Sequence, residues 1–267
     1  MQMEISEQVK EKKTEKPLRR MMITVAYDGT AYHGFQAQKS GAPTIAGVLN
    51  ETLTAVFKEP IEVSGGSRTD AGVHSLGNPA VFDTHACIEA DRLPYALNRA
   101  LPDDIRVVKG EEVPADYDPR RSGRGKTYEY RIYNAEIQYP QKCHYAYFSY
   151  SSYDIDKMRA AAEVLKGEHD FSSFCSAGAQ VLTKVRTIYD ISVSEETDSR
   201  FPGRDIVIRV SGNGFLYNMV RIIAGTLMEA GKGKYTAQDI KEMLEACDRN
   251  AAGPTAPPEG LTLIGYF

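Results

Sequence analysis

At 267 residues the chain has material for one large domain or two small ones, and its 42% hydrophobic and 25% charged content is ordinary for a soluble globular protein. No apolar run approaches the ~20 residues that a membrane span requires. The net charge of −4 and an isoelectric point near 5.8 exclude a uniformly basic surface, so any contact with a polyanion must rest on a local patch.

Residues 1–20 interleave lysines and arginines with Glu4, Glu7, Glu11 and Glu15 and lack the apolar stretch of a secretory signal. They read as a charged, mobile tail on a cytoplasmic protein. Met22–Tyr27 is a short apolar strand ended by Asp28-Gly29. Thr44–Lys58 carries Ile45, Val48, Leu49, Leu53 and Val56 at helical spacing, with Thr44 as N-cap. Ile61–Val63 and Pro79–Phe82 read as strands on either side of the string SGGSRTDAGVHSLG, Ser64–Gly77. Ala90–Ala100 reads as a helix and Ile105–Val108 as a strand. Residues 114–123, with two prolines and a glycine, link the two halves, 21–113 and 114–267.

In the second half Lys126–Tyr133 alternates polar and aromatic residues as a strand does, and Asp154–Lys166 is an amphipathic helix. Lys184–Val193 and Asp205–Val210 alternate as antiparallel strands would. Phe215–Ala230 and Thr236–Cys247 read as helices, and Leu261–Phe267 as a closing strand. Helices interrupt strands in both halves alongside hairpin-like pairs, which favours an α+β fold with antiparallel or mixed sheets. Cys87, Cys143, Cys175 and Cys247 lie far apart with no CxxC pair, so we expect reduced thiols and no metal.

The string around Asp70 is the strongest chemical signal. Two glycines let a ligand approach the backbone, and Asp70 lies two residues from the guanidinium of Arg68, a partner that would hold a carboxylate ionised and aimed. Such a carboxylate suits covalent or acid–base chemistry; a structural Asx-turn with a surface ion pair is the competing reading. Arg120, Arg121, Arg124, Lys126 and Arg131 crowd one segment, interleaved with Tyr117, Tyr128, Tyr130 and Tyr133. Arginine beside aromatic rings is the chemistry of phosphate contact and base stacking, and Arg120, Arg121, Arg124 and Lys126 are the expected phosphate contacts. Lys232 and Lys234 read better as solvated surface charge.

SRTDAGVHSLG resembles the active-site motif of the TruA family of tRNA pseudouridine synthases, in which the aspartate is catalytic. YDGTAYHGFQAQ and TIAGVLNETL are similar to the family's N-terminal signatures, with Phe35 where the family commonly has tryptophan and Ser67 where it often has glycine. RRSGRGKTYEYRIYN resembles the segment whose tyrosine contacts the target base, here Tyr128. GNGFLYNMVRIIAGTLMEAGKGK resembles the helix that bears the active-site arginine, here Arg221, and APPEGLTLIGY the C-terminal signature, whose leucine is Leu261. Across residues 21–267 the resemblance implies two ferredoxin-like halves joined across a central cleft.

It also implies a homodimer that isomerises uridines 38, 39 and 40 in the tRNA anticodon stem-loop, with no cofactor. Asp70 would attack ribose C1′ or assist elimination there, attack at uracil C6 being a third route; an unperturbed carboxyl, pKa about 3.9, is already ionised for this. Arg221 or Arg68 would aim it, and Tyr128 would hold the flipped base. Two rival readings fit parts of the same sequence. A non-catalytic RNA chaperone would have lost the motif aspartate or tyrosine, and both are present. A glycoside hydrolase would need a second carboxylate, for which Asp83 or Glu129 could be nominated.

Overall fold

The computed structural model describes residues 17–38, 41–121, 125–178 and 181–267. In chain order the described strands are β1 (Arg19–Tyr27), β2 (Ser64–Gly65), β3 (His74–Thr84), β4 (Ile105–Val113), β5 (Lys126–Asn134), β6 (Tyr147–Ser149), β7 (Gly167–Asp170), β8 (Val185–Glu196), β9 (Arg204–Gly212) and β10 (Leu261–Tyr266). The α-helices are α1 (Ile45–Phe57), α2 (Leu93–Leu97), α3 (Ile155–Glu163), α4 (Met219–Gly231) and α5 (Ala237–Ala246). The fold is α+β. One sheet runs in the order β4-β1-β3-β10-β5-β9-β8-β7, with β2 added to β3 and β6 to β5.

Most pairings are antiparallel, but β10 lies parallel to β3 and antiparallel to β5, and β6 is parallel to β5. The sheet is therefore mixed, and the chain's last strand joins its first strands to the rest. Hydrophobic side chains gather in two cores. One packs α1 and α2 on β1, β3 and β4, around Ile23, Leu49, Leu53 and Leu93. The other packs α3, α4 and α5 on β5, β8 and β9, around Met158, Ile208, Ile223 and Leu227. Each such fully buried side chain contributes about 1.5–3 kcal/mol of transfer free energy.

Several elements differ from the sequence reading for identifiable reasons. Strand β1 opens at Arg19 rather than Met22, because Arg19 and Arg20 are held by Glu112 and Asp83 on the neighbouring strands. Ile61–Val63 is not a strand. The backbone N–H groups of Ile61 and Val63 donate to Thr54 Oγ1 and Asn50 Oδ1 of α1, and pairing with β3 begins only at Ser64. The expected helix over Ala90–Ala100 is a 3-10 turn followed by the five residues of α2, ended where Asn98 turns its amide onto the backbone of Val107. Helix α4 starts at Met219, four residues later than expected, since Asn218 adopts φ 59°. Strands β6 and β7, of three and four residues, have no counterpart in the sequence reading.

Candidate active site

The loop between β2 and β3 carries Asp70, and buried polar contacts fix its shape. Asn78, fully buried on β3, accepts from the Ser67 N–H at 3.0 Å and donates to the Ser67 carbonyl at 2.9 Å. The Thr69 hydroxyl meets Tyr27 Oη at 2.8 Å, and burial pushes that phenol up to about 12. The Thr69 carbonyl accepts from the Phe35 N–H. A Cβ at Gly34, φ +89°, would stand 2.6 Å from that carbonyl, so glycine is needed for the two segments to touch. Ser67 has no positive φ, so a serine serves where glycine is common. Phe35 is buried and tilted on Tyr27 at 6.2 Å, a packing role.

Facing this loop stands Arg221, in the first turn of α4. Its Nη1 lies 3.5 Å from Asp70 Oδ2 although 151 residues separate them in sequence. Two bonds orient the guanidinium: Nε donates to the Ala256 carbonyl at 2.7 Å and Nη1 to Asn218 Oδ1 at 2.9 Å. Met219, Ile222, Ile223, Thr226 and Ala230 form the buried stripe of α4, and Arg221 lies off it. Burial raises the pKa of Asp70, and the positive charge of Arg221 opposes that rise. The carboxylate is thus partly stripped of water yet held in direction.

The cleft has a volume of about 910 Å³, and Asp70, Tyr128 and Leu261 all line it. Tyr128 projects from β5, edge-on to Phe215 at 5.2 Å, and burial raises its phenol. Tyr130, two residues on, is core: its hydroxyl donates to the Pro257 carbonyl. Leu261 pairs with Tyr130 in register on β10. Asp70 is the one carboxylate among the described residues that line the cleft, against Arg68, Arg120, Lys126 and Arg186.

A family model described as tRNA pseudouridine synthase matches residues 23–120 and 161–266. Relatives named tRNA pseudouridine synthase A include that of Acetivibrio thermocellus, 42% identical over 250 residues, covering 94% of this chain and 100% of its own length. That of Exiguobacterium sibiricum is 43% identical over 250 residues, 94% of this chain and 97% of its own length. The chain belongs to the TruA family of tRNA pseudouridine synthases. Its activity is the isomerisation of uridine to pseudouridine in tRNA.

In this synthase the aspartate's cation differs from the one nearest in sequence. Arg68 is exposed at the cleft rim, and among the described residues Asp70 pairs with Arg221. The arginine-rich segment also divides. Arg120 lines the cleft mouth while holding Asp118 at 3.1 Å; Arg121 lies 3.8 Å from the same carboxylate and faces solvent. Arg124 lies outside the described residues. Arg131 is not available to a ligand, because Glu129, Glu196 and Asp205 surround it at the other end of β5. Lys232 and Lys234 both pair with Glu229. His74 is buried and accepts from the Gly29 N–H at 3.1 Å.

Among the lining residues that escaped the sequence reading are Ser67 as a contact, Arg186 on β8 and Phe215 before α4. Ser67 alone carried a signal, as a serine where glycine is common. A second crevice, about 290 Å³ between Arg131, Lys142, Glu196 and Asp205, has its charges paired with one another.

Proposed function

We propose that Asp70 is the catalytic carboxylate and that the cleft receives a uridine flipped out of the anticodon stem-loop, at positions 38, 39 and 40. The observation that carries this reading is the Asp70–Arg221 pair beside Tyr128 and Leu261, in a cleft whose described lining has one carboxylate and four cationic side chains. To make pseudouridine the N1–C1′ bond must break, the uracil must turn, and C5 must bond to C1′; the C5 proton then leaves and N1 gains one. A desolvated carboxylate serves the first step either by attacking C1′ or by assisting elimination to a glycal. Arg221 keeps it aimed in either case. Tyr128 and Leu261 offer an aromatic wall and an apolar contact to the extruded base.

A hydrolase reading lacks its second acid. Asp83 pairs with Arg20 and Glu129 with Arg131 and Arg209, and neither lines the cleft. Arg68, Arg120 and Lys126 are the phosphate contacts we infer, with Arg121 contributing outside the cleft and Arg124 a further contact. Residues 21–113 then supply the aspartate and 114–267 the tyrosine and arginine, in a cytoplasmic homodimer whose two subunits touch one tRNA.

The test is to incubate the protein with tRNA transcripts that carry uridine singly at 38, 39 or 40 and map pseudouridine by carbodiimide adducts and primer extension. We expect modification at these positions and none elsewhere. Pseudouridine at other positions only would overturn the assignment.

A further inference from the structure

We propose that Lys126 and Arg186 form a clamp inside the cleft that grips one of the two phosphates flanking the flipped uridine. The proposal rests on the reading of the cleft as the RNA site and goes beyond it in naming the anchor and its partner. Lys126 opens β5, and Arg186 lies near the start of β8; both line the cleft. Among the described residues neither has a carboxylate within ion-pair distance, in contrast to Arg131 on the same strand, which has three. Other partly buried cations of this acidic chain, among them Arg19, Arg20, Lys142 and Arg204, are tied to acids. Here two such cations stand on the wall of one cleft of about 910 Å³, and the charge of Arg186 disfavours that of Lys126.

The Lys126 ammonium is held in place without being neutralised. Nζ donates to Ser67 Oγ at 3.1 Å and to Tyr266 Oη at 3.4 Å, and it sits 5.2 Å above the Tyr266 ring. Ser67 Oγ and Tyr266 Oη are themselves 2.7 Å apart. Arg186 Nη1 donates to the carbonyls of Thr183 and Val185, which fixes the guanidinium. A phosphodiester bound between the two would offset one of the two positive charges, relieve their mutual repulsion and accept hydrogen bonds from each. Because Ser67 is three residues from Asp70, a phosphate at Lys126 belongs to the nucleotide under attack or its immediate neighbour.

The charge of this clamp depends on pH. Burial first, and then repulsion from Arg186, push the Lys126 ammonium down to about 8. The other groups facing it are Ser67 from the aspartate loop, Tyr266 from β10, whose phenol burial pushes up to about 12, and Tyr128 from β5, raised further by burial. Lys126 is the group among them whose charge changes near pH 8. Affinity for RNA should therefore fall as pH rises through that value.

The test uses the full chain and its Lys126→Met, Lys126→Arg and Arg186→Met variants, with tRNA binding by anisotropy and turnover by tritium release. We expect Lys126→Met to raise Kd and KM by roughly 10- to 100-fold, with a smaller change in kcat, and to reduce the salt slope by about 1. A transcript with a neutral methylphosphonate at the gripped phosphate should bind the wild-type protein as weakly, with no further loss in Lys126→Met. Wild-type affinity should decline above pH 8, and that of Lys126→Arg should not. Arg186→Met reports the same losses should Lys126→Met fold poorly, which thermal melts reveal.

Unchanged Kd and salt slope in both Met variants would overturn the clamp. So would a loss in Lys126→Met that is equally large whichever flanking phosphate is neutral. A wild-type protein that forms no pseudouridine at 38, 39 or 40 would instead overturn the site assignment while the binding data still decide the clamp.

Discussion

Asp70 and Lys126 are both partly buried ionisable groups whose charged forms are disfavoured by the fold. The folded pKa of Asp70 is raised, so the folded chain loses stability as pH rises through it and the carboxyl ionises. Asp70→Asn removes that cost, and we expect its Tm at pH 7 to equal or exceed that of the wild type while pseudouridine formation is lost. Thermal melts alongside activity check the pairing of effects. The same raised pKa moves the acid limb of the wild-type pH–rate profile above the range of an ordinary aspartate; a limb at or below about 3.9 would contradict it. Lys126 works in the opposite direction, since a lowered pKa penalises the fold below about 8 and relieves it above. Arg221→Met leaves Asp70 buried without its cation, and turnover should fall by roughly 100-fold with the far-UV spectrum intact.

At the scale of elements, α4 connects packing to chemistry. A Cβ at Gly225 would stand 1.9 Å from the Pro254 carbonyl oxygen, and backbone on both sides leaves no room to yield. Gly225→Ala should therefore cost about 1–3 kcal/mol in denaturant melts. It should also lower turnover, because the displaced segment includes Ala256, the acceptor that aims Arg221. Helices α1 and α5 and strand β5 were legible in the sequence because each presents an apolar face at a clear period, and Thr44 and Thr236 cap as their residue type dictates. The limits of α2 and α4 were not. They are set by a side chain from a coil turning onto a strand (Asn98 to Val107) and by a left-handed Asn218, neither of which alters hydrophobic periodicity. Strands of three and four residues, β6 and β7, are too short for alternation to show.

Taken whole, the molecule resolves a tension between its charge and its substrate. A net charge of −4 disfavours RNA, yet Arg68, Arg120, Lys126 and Arg186 line a cleft that holds a single described carboxylate. If these four meet phosphates, log affinity should fall with log salt at a slope of roughly −3 to −4, measurable by anisotropy titration between 50 and 200 mM salt. A slope near zero would mean that the cleft does not bind the backbone. The sequence made the aspartate motif and the arginine-rich segment legible, the first because its residue order resembles a known active site. It could not show which cations are already paired, since Arg131 meets Glu196 and Asp205 across 65 and 74 residues. Nor could it show that Arg221, not Arg68, faces Asp70. These facts belong to the tertiary arrangement of β5, β8, β9 and α4.

The most direct measurement is tritium release from tRNA labelled at uridine C5, comparing the wild-type protein with Asp70→Asn at equal folded concentration. The C5 proton leaves only when the base has been detached, turned and rejoined through C5. We expect release by the wild type and none above background by Asp70→Asn, with both proteins retaining tRNA binding. Release by Asp70→Asn at the wild-type rate would contradict the assignment of Asp70 as the catalytic carboxylate.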